Sequence, residues 1–397
     1  MQNKLALYGG EPVRNTILPY AKQAIDDADI QAVIQVLKSD FLTTGPVVPQ
    51  FEEKIATYVG AKYAVAFSSG TAALHAACFA AGITHGDEVI TTPMTFAATA
   101  NSILYVGGKP VFADVDPKTY NISPQAIEKS ITPKTKAIIT VDYTGQPAAY
   151  DEIMELARKY NLIVIDDAAH ALGAIYNNKK IGSIADMTMF SFHPVKHITT
   201  GEGGIITTNN LTYYKKLRLF RNHGITRDIN ELHIKDEVAY YEMQQLGYNY
   251  RMTDIQAALG LSQYQKLSQF LSKRRKLATN YTISFQHMDC IIPPFQLNNT
   301  SSSWHLYVIR FNLDKLQTTR KEIFQAFQKE NIGVNIHYIP VYFHPYYQNL
   351  GYSKGLCPIA EKLYETIITL PLFPKMTEQD QNDVIQATKK IVSHFSK

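Results

Sequence analysis

A chain of 397 residues, 45% hydrophobic and 19% charged, is long enough for one large globular domain and a smaller one. Its formal net charge is only +4 and it lacks a dense run of Lys or Arg, which argues against a nucleic-acid partner. Three scattered cysteines argue against a disulfide framework or a C-x-x-C centre, and no apolar run approaches the ~20 residues that cross a bilayer. We therefore expect a cytoplasmic protein with no membrane partner.

The first half of the chain alternates helical patterns with short β-branched runs. Apolar residues recur at helical spacing in segments 30–37 and 51–59. Strand-like runs follow, with helix-length segments between the first five of them. These runs cover residues 64–67, 88–92, 110–115, 137–141, 162–166, 187–192 and 204–208. Repeated strand–helix–strand units predict a parallel sheet that is covered on both faces.

The pattern changes beyond residue 210. The segment from Thr253 to about Leu277 has helical periodicity without a strand-like run, and it predicts a long connecting helix. The remainder combines a strand-like run at 305–311 with two helical stretches and Pro-rich loops. We predict an α/β protein with a large domain over residues 1–265 and a smaller α/β domain over residues 266–397.

Polar residues stand at the ends of the predicted strands, where open α/β sheets bind their ligands. After strand 64–67, Gly70 and Thr71 open a helix whose N–H groups suit a phosphate, although a plain helix cap has the same pattern. Asp167 follows strand 162–166, where a carboxylate is costly to bury without a partner. It is therefore either a structural cap or ion pair, or the group that holds a proton on a cofactor nitrogen.

The segment FSFHPVKHITTGEGG, residues 190–204, is the most informative part of the chain. It places Ser191 at a strand end, Lys196 in a turn five positions later, and then a Gly-rich stretch. A lysine enclosed in a turn can lose its charge by desolvation and attack an aldehyde. The stretch does not fit the dinucleotide-binding pattern G-x-G-x-x-G, because Ile206 occupies the third glycine position. The pattern favours a nucleophilic lysine over an ordinary surface charge.

Five motifs follow one another along the chain: SSGTAAL, TTPMTFAATAN, DDAAHALGA, SFHPVKHITTGEGG and LGYNYRMTDIQAALG. Together they resemble the sugar aminotransferases of the DegT/DnrJ/EryC family over nearly the whole sequence. The resemblance implies the aspartate-aminotransferase fold, known as fold type I, with a large mostly parallel-sheet domain and a smaller C-terminal one. It also implies pyridoxal 5'-phosphate as the cofactor and a homodimer with active sites shared at the interface.

The resemblance assigns roles to residues of the cofactor site. Lys196 carries the cofactor and Asp167 pairs with its ring nitrogen, so these two are the predicted catalytic residues. Phe96 matches the aromatic ring that stacks on the pyridine face, with a core position as the alternative. His170 stands where much of the family has Gln. The residues matched to the phosphate are Gly70, Thr71, Ser191 and, from the partner subunit, Asn249.

His170 and the stretch VDYTGQ at 141–146 are most similar to the subgroup that acts in pseudaminic acid biosynthesis. This implies amino transfer from L-glutamate to carbon 4 of UDP-linked 4-keto-6-deoxy-N-acetyl-L-altrosamine, giving UDP-4-amino-4,6-dideoxy-N-acetyl-β-L-altrosamine. The gluco-configured UDP-4-keto sugar of bacillosamine or legionaminic pathways stays open as an acceptor. The planar fork of Arg251 suits a diphosphate, with an interface salt bridge as the alternative. The other expected substrate contacts, each with a structural role as the alternative, are Tyr20, Asp40, Phe41, Leu42, Thr43, Val341, Tyr342, Phe343 and His344.

Three other functions stay open at this point. The dehydratase branch of the family replaces the lysine with His, whereas here His193 and His197 lie beside the position and Lys196 occupies it. A catalytically silent pyridoxal-phosphate-binding protein would contain the same cofactor residues. A metal hydrolase built on His337 and His344 lacks an H-E-x-x-H motif or a matching acidic partner, and we expect no metal.

Overall fold

The computed structural model describes residues 4–235 and 237–397. We label its helices α1–α12 and its strands β1–β15 in chain order. The helices are Asp27–Leu37, Val47–Val59, Gly70–Ala80, Ala97–Tyr105, Pro124–Ser130, Tyr150–Tyr160, Leu211–Arg221, Asp254–Phe285, Arg320–Lys329, Pro345–Asn349, Pro358–Tyr364 and Glu378–Phe395. The strands are Tyr63–Phe67, Glu88–Thr91, Lys109–Phe112, Thr135–Val141, Ile163–Asp167, Ile175–Tyr176, Lys179–Lys180, Met187–Ser191, Gly204–Thr208, Ile225–Thr226, Glu242–Met243, Ile291–Ile292, Thr300–Ser301, Tyr307–Phe311 and Ile367–Leu370.

The main sheet has seven strands in the order β1-β9-β8-β5-β4-β2-β3. All seven predicted runs form its strands, with ends within a few residues of those expected. Six strands point the same way, but β9 runs antiparallel to both of its neighbours, β1 and β8. The sheet is thus mostly parallel, as expected, with residues 204–208 as the one reversed strand of the seven. No helix lies between β8 and β9, and a short loop can only return the chain in the opposite direction.

Alternating side chains of the sheet fill two separate cores. On β1, Ala64 and Ala66 face one core together with α2 and the first half of α8. Val65 and Phe67 face the other core, which contains α3 and α7. This period of two is the geometry of a strand that is buried on both faces. The helices therefore cover both faces of the sheet, as predicted.

Helix α8 connects the main sheet to the C-terminal part of the chain. It begins at a capping box in which Thr253 and Gln256 satisfy each other's backbone N–H groups. It ends at Phe285, eight residues beyond the predicted end at Leu277. Its first half packs on the main sheet, whereas its second half, from Leu277 onward, packs in the C-terminal core. Residue 265 lies inside this helix, so the division into domains at that point remains a prediction.

The C-terminal part contains the antiparallel sheet β12-β14-β15. One face of β14 packs against α9, α12 and the end of α8. The other face packs against residues around β3 and the loop after β4. The C-terminal sheet is thereby held against the carboxyl ends of the main-sheet strands. Within the described residues, no helix is both long and apolar enough to cross a membrane.

Candidate functional site

A cavity of about 740 Å³ lies at the carboxyl ends of β4, β5 and β8. Val141, Asp167 and Ser191, the last residues of these strands, are among its lining. Residues 335–339 from the C-terminal part close its opposite side. The cavity thus lies where the two parts of the chain meet, the position at which open α/β sheets bind ligands.

Lys196 lies in the loop that follows β8. The loop is folded tightly, because the N–H of Lys196 donates to the carbonyl of His193 (2.9 Å) and the N–H of Thr200 donates to the carbonyl of Phe192 (3.0 Å). Removal of the amine from water lowers the pKa of Lys196 to about 8, and the charge of Arg274 adds to this effect, while Asp167 opposes it. The amine of Lys196 therefore loses its proton more readily than that of an ordinary lysine.

Asp167 ends β5 and is buried at the base of the cavity. Its Oδ2 accepts a hydrogen bond from Thr99 Oγ1 (2.6 Å) and its Oδ1 accepts one from the N–H of Ala169 (3.2 Å). Burial raises the pKa of Asp167, and these two hydrogen bonds and the charge of Lys196 oppose the rise. No Lys or Arg of the described chain forms a salt bridge with it. The carboxylate of Asp167 can therefore accept a hydrogen bond from a protonated nitrogen.

The start of α3 forms a small polar pocket beside Ser191. Ser69 caps this helix by accepting a hydrogen bond from the N–H of Ala72 (3.1 Å), and Gly70 and Thr71 form its first turn. Gly204 of β9 packs closely behind the turn, since an added Cβ there would lie 2.6 Å from the carbonyl oxygen of Ser69. The N–H groups at the helix start and the hydroxyl groups of Thr71 and Ser191 are suited to bind a phosphate.

Phe96 and His170 also line the cavity. The side chain of Phe96 is 65% exposed, so a core role is excluded. His170 Nε2 is hydrogen-bonded to Tyr338 Oη (3.0 Å), whereas its Nδ1 is buried without a partner in the described chain. Burial holds the pKa of His170 well below its usual value, so the ring is neutral. The cavity fits pyridoxal 5'-phosphate. Around Lys196 it offers an aromatic face, an unpaired ring nitrogen, an acid and a polar pocket suited to a phosphate.

Several groups at this site are absent from the predicted set. Thr99 is hydrogen-bonded to Asp167, and Tyr338 is hydrogen-bonded to His170. The ring of His305 lies 4.5 Å from that of His170 and 5.5 Å from that of His197. Thr99 lies in the motif TTPMTFAATAN, which could have drawn attention to it. Tyr338 is 168 residues from His170, and no local pattern indicates that they meet.

The predicted substrate residues occupy different positions. Tyr20 and His344 line the cavity. Val341 and Tyr342 are buried in a hydrophobic core, with Tyr342 Oη donating to Glu361 Oε1 (2.6 Å). Their side chains do not line the cavity, and neither does that of Phe343, which packs against the ring of Tyr342.

The remaining predicted residues lie outside the cavity of their own chain. Residues 40–43 form an exposed loop that is hydrogen-bonded to the start of α8 through Leu42 and Asp254 (3.0 Å). Asn249 is exposed. Arg251 donates to Asn222 Oδ1 (2.7 Å) and lines a second cavity of about 540 Å³. These residues do not meet Lys196 within one subunit.

His337 and His344, considered above as metal ligands, do not form a metal centre in the described residues. His337 Nδ1 is hydrogen-bonded to Thr369 Oγ1 (2.8 Å). No cluster of three or more His, Cys, Asp or Glu side chains arranged to hold a metal occurs in the described ranges.

Comparison with known proteins adds independent findings. The model of the DegT/DnrJ/EryC1/StrS aminotransferase family matches residues 23–389. The chain is 43% identical over 381 residues to the spore coat polysaccharide biosynthesis protein SpsC of Bacillus subtilis, covering 96% of this chain and 98% of that protein.

Solved structures are similar over almost the same extent. Helicobacter pylori PseC, an aminotransferase involved in the biosynthesis of pseudoaminic acid, has a TM-score of 0.89 and 34% identity, with 96% of this chain and 100% of that chain covered. The pyridoxal-phosphate form of the putative sugar aminotransferase Spr1654 from Streptococcus pneumoniae has a TM-score of 0.88 and 31% identity, with 95% and 99% covered.

These similarities span nearly the whole chain and confirm fold type I, because the structural neighbours are pyridoxal-phosphate-dependent aminotransferases with this architecture. They also confirm pyridoxal 5'-phosphate as the cofactor, which agrees with the chemistry of the cavity. The chain belongs to the DegT/DnrJ/EryC1/StrS aminotransferase family, and it is a pyridoxal-phosphate-dependent sugar aminotransferase.

Proposed function

We propose that this enzyme transfers the amino group of L-glutamate to carbon 4 of a UDP-linked 4-keto-6-deoxy-N-acetyl-hexosamine. We further propose that the acceptor is the L-altro sugar of pseudaminic acid biosynthesis. The observation that carries the proposal is the similarity to Helicobacter pylori PseC over 96% of this chain. His170 and the stretch VDYTGQ support it from the sequence.

Lys196 is the proposed nucleophile and proton carrier. Pyridoxal phosphate, when bound, supplies an aldehyde and an electron sink for amino-group transfer. Because burial lowers the pKa of Lys196 to about 8, its neutral amine is available to attack that aldehyde. Once released by the amino donor, the same amine would accept the proton from the donor carbon and deliver it to the aldehyde carbon of the cofactor.

Asp167 is the proposed partner of the cofactor ring nitrogen. Hydrogen bonds from Thr99 and Ala169 fix the orientation of its carboxylate. A protonated nitrogen within hydrogen-bond distance would oppose the effect of burial and keep the carboxylate ionised. The resulting charge-assisted hydrogen bond keeps the nitrogen protonated, which strengthens electron withdrawal by the ring.

The geometry of the cavity supports the proposed phosphate and ring contacts. Gly70 and Thr71 at the start of α3, with Ser191 opposite, are the proposed phosphate ligands. Phe96 is exposed at the cavity and is proposed to stack on the ring. The unpaired Nδ1 of His170 is proposed to contact the cofactor on its other side.

We propose a homodimer in which each site borrows residues from the partner. Segment 229–246 exposes a group of large apolar side chains, which is typical of a surface that another protein covers. They are Ile229, Ile234, Val238, Tyr241, Met243 and Leu246. Asn249 follows directly and is exposed, so Asn249 of the partner subunit is the proposed additional phosphate ligand.

The substrate residues divide by position. Tyr20 and His344 line the cavity and are proposed to contact the sugar. The exposed loop 40–43 and Arg251 lie beside the start of α8, outside their own cavity, and are proposed to contact the nucleotide in the partner's site. The segment 341–343, in which Val341 and Tyr342 are buried, is proposed to act through the position it gives His344.

The test is turnover of purified enzyme with L-glutamate and either of the two UDP-4-keto epimers, with products identified by NMR. We expect a higher kcat/KM for the L-altro compound. The same keto-sugar without UDP should be a very poor substrate in rate and affinity, because nucleotide binding places the keto carbon. A preference for the gluco epimer would contradict the proposed acceptor, and no turnover with either would contradict the proposed class of UDP-linked 4-keto sugars.

A further inference from the structure

The turn that follows β4 contains most of the stretch VDYTGQ, and the cofactor contacts leave its role unexplained. Of residues 141–146, all of which the structure describes, only Val141 lines the cavity. Tyr143 is 1% exposed, and a buried phenol hydroxyl needs a hydrogen-bond partner. Its Oη donates to the backbone carbonyl of His337 in the closing segment, residues 335–339. This hydrogen bond therefore joins the end of a main-sheet strand to the segment that closes the cavity.

The same turn contacts the wall of the cavity at two further points. The carbonyl of Thr144 accepts a hydrogen bond from the N–H of His305 (2.9 Å), and the carbonyl of Gly145 accepts one from the N–H of Ser303 (3.0 Å). Gly145 has a φ of 104°, and an added Cβ there would lie 2.7 Å from the carbonyl oxygen of His170. His170 and His305 both line the cavity. The turn therefore packs against two more segments that carry cavity residues.

The closing segment is also attached to the C-terminal sheet. His337 Nδ1 is hydrogen-bonded to Thr369 Oγ1 of β15 (2.8 Å). Two backbone hydrogen bonds, of 2.8 and 3.2 Å, join Asn335 to the same residue of β15. The hydroxyl of Tyr143 contacts the segment from the opposite side, at the peptide group between His337 and Tyr338. The backbone that carries Tyr338 is therefore fixed between the two sheets.

Tyr338 extends this attachment into the cavity. Its Oη is hydrogen-bonded to Nε2 of His170 (3.0 Å), and the two rings are nearly parallel, with their centroids 6.0 Å apart. Both residues line the cavity together with Lys196 and Asp167. A ring that is already held in one orientation loses little freedom when a ligand binds beside it, which favours binding. The orientation of the His170 ring therefore depends on where the closing segment places Tyr338.

We infer that Tyr143 is a positioning residue for the cofactor site: its hydroxyl holds the peptide group before Tyr338, and Tyr338 in turn holds the ring of His170. This inference rests on the proposed contact between His170 and the cofactor. It gives the stretch VDYTGQ a role in the site that requires no contact with the cofactor or the sugar. Buried hydrogen bonds that share members are coupled, so removal of one should affect the next.

The experiment is a double-mutant cycle that is read by cofactor affinity. The full-length protein, freed of cofactor, is titrated with pyridoxal 5'-phosphate. Tyr143→Phe retains the buried ring and removes the hydroxyl, and we expect it to weaken cofactor binding by about tenfold. Tyr338→Phe should weaken binding by a similar factor, because His170 loses its hydrogen-bond partner. The double variant should bind no more weakly than Tyr338→Phe alone, because Tyr143 acts through Tyr338.

Tyr281→Phe is the matched control. Tyr281 is fully buried and its Oη donates to the backbone carbonyl of Pro371 (2.9 Å), so its hydroxyl has the same kind of partner as that of Tyr143. It lies in the C-terminal core and does not line the cavity. Urea unfolding should show a similar loss of stability in both single variants, whereas only Tyr143→Phe should bind the cofactor more weakly. A purely structural role of Tyr143 would leave the two variants alike.

Unchanged cofactor affinity in a folded Tyr143→Phe or Tyr338→Phe variant would overturn the inference. So would a double variant whose affinity falls by the product of the two single effects, about a hundredfold, since the two residues would then act independently. If Tyr143→Phe does not fold, a crystal structure of the unaltered enzyme with bound cofactor still decides. Loss of the Tyr143–His337 or the Tyr338–His170 hydrogen bond in that structure would also overturn the inference. These measurements need no keto-sugar, so their failure is distinct from a failure of the proposed function.

Discussion

The environment of Lys196 makes it chemically different from the other lysines of the chain. Lys180, for comparison, lies over the ring of Tyr58 (3.7 Å), and Lys216 donates to the carbonyl of Ala80 (3.2 Å). Neither lines the cavity that contains Asp167. Among the residues that the structure describes, Lys196 is the lysine that lines the cavity at the ends of β5 and β8, which supports its proposed role of binding the cofactor's aldehyde.

We predict that borohydride reduction of the enzyme places the pyridoxyl group on Lys196. Lys196→Ala should still bind the cofactor non-covalently, because the phosphate and ring contacts remain, but its turnover should fall by at least about 10²-fold because the proton carrier is lost. Peptide mapping by mass spectrometry gives the labelled residue. Recovery of the label on Lys179, Lys180 or Lys216 would show that the assignment is wrong.

A second prediction concerns the charge of Asp167. Asp167→Asn retains the size of the side chain and can still accept a hydrogen bond from Thr99, so we expect a folded protein. The half-reaction with glutamate should slow by about 10²-fold or more, since the lost ion pair is worth a few kcal/mol and each 1.36 kcal/mol is tenfold in rate. Stopped-flow absorbance of the bound cofactor measures this step. Near-normal rates would mean that another group holds the proton.

At the scale of elements, the sequence predicts the seven strands of the main sheet and β14, because each is a short and largely apolar run. It does not predict β15 or the six two-residue strands. The sequence also does not predict the reversal of β9, since the direction of a strand in the sheet depends on whether a helix or a loop precedes it. It also ends α8 too early. The residues of α8 beyond Leu277 pack in a different core from the residues before it, and this change of partner breaks the periodicity on which the prediction depends.

The reversed strand β9 packs directly against the proposed phosphate pocket. Gly204 lies opposite both Phe67 and Ser191 in the sheet, next to the start of α3. An added Cβ would lie 2.7 Å from the backbone nitrogen of Gly70 and 2.6 Å from the carbonyl oxygen of Ser69. Both contacts are with backbone atoms, so the turn at the helix start would have to move.

We therefore predict that Gly204→Ala destabilises the fold by about 1–3 kcal/mol and weakens cofactor binding by about tenfold. Urea unfolding and a cofactor titration measure the two effects. Ile206→Val, on the same strand and fully buried, is the control, because it should cost about 0.5–1.5 kcal/mol without changing cofactor affinity. Equal affinities in Gly204→Ala and the unaltered protein would show that β9 does not shape the pocket.

At the scale of the whole molecule, the site is assembled from segments that are far apart in sequence. Ser191 and Lys196 are close in sequence, so one local motif contains both. Asp167 and Gly70 lie at or just after the ends of two strands, and the topology of the sheet brings those ends to the same edge. Tyr338 and His305 reach the site only through the packing of the C-terminal part on the main sheet. No local pattern carries that information, so the sequence indicates the proposed catalytic pair, Lys196 and Asp167, but not the residues that surround it.

The shared site is the largest-scale prediction. If Asn249 of the partner subunit completes each phosphate pocket, Lys196→Ala and Asn249→Ala homodimers should both be inactive, yet mixing them should restore activity. Hybrid dimers contain one site with both defects and one site with neither, so random subunit exchange, which makes half of the dimers hybrid, should approach a quarter of normal activity. Separately purified variants that are never mixed serve as the control. A mixture that stays inactive after exchange, verified by native mass spectrometry, would mean that each chain builds its own site.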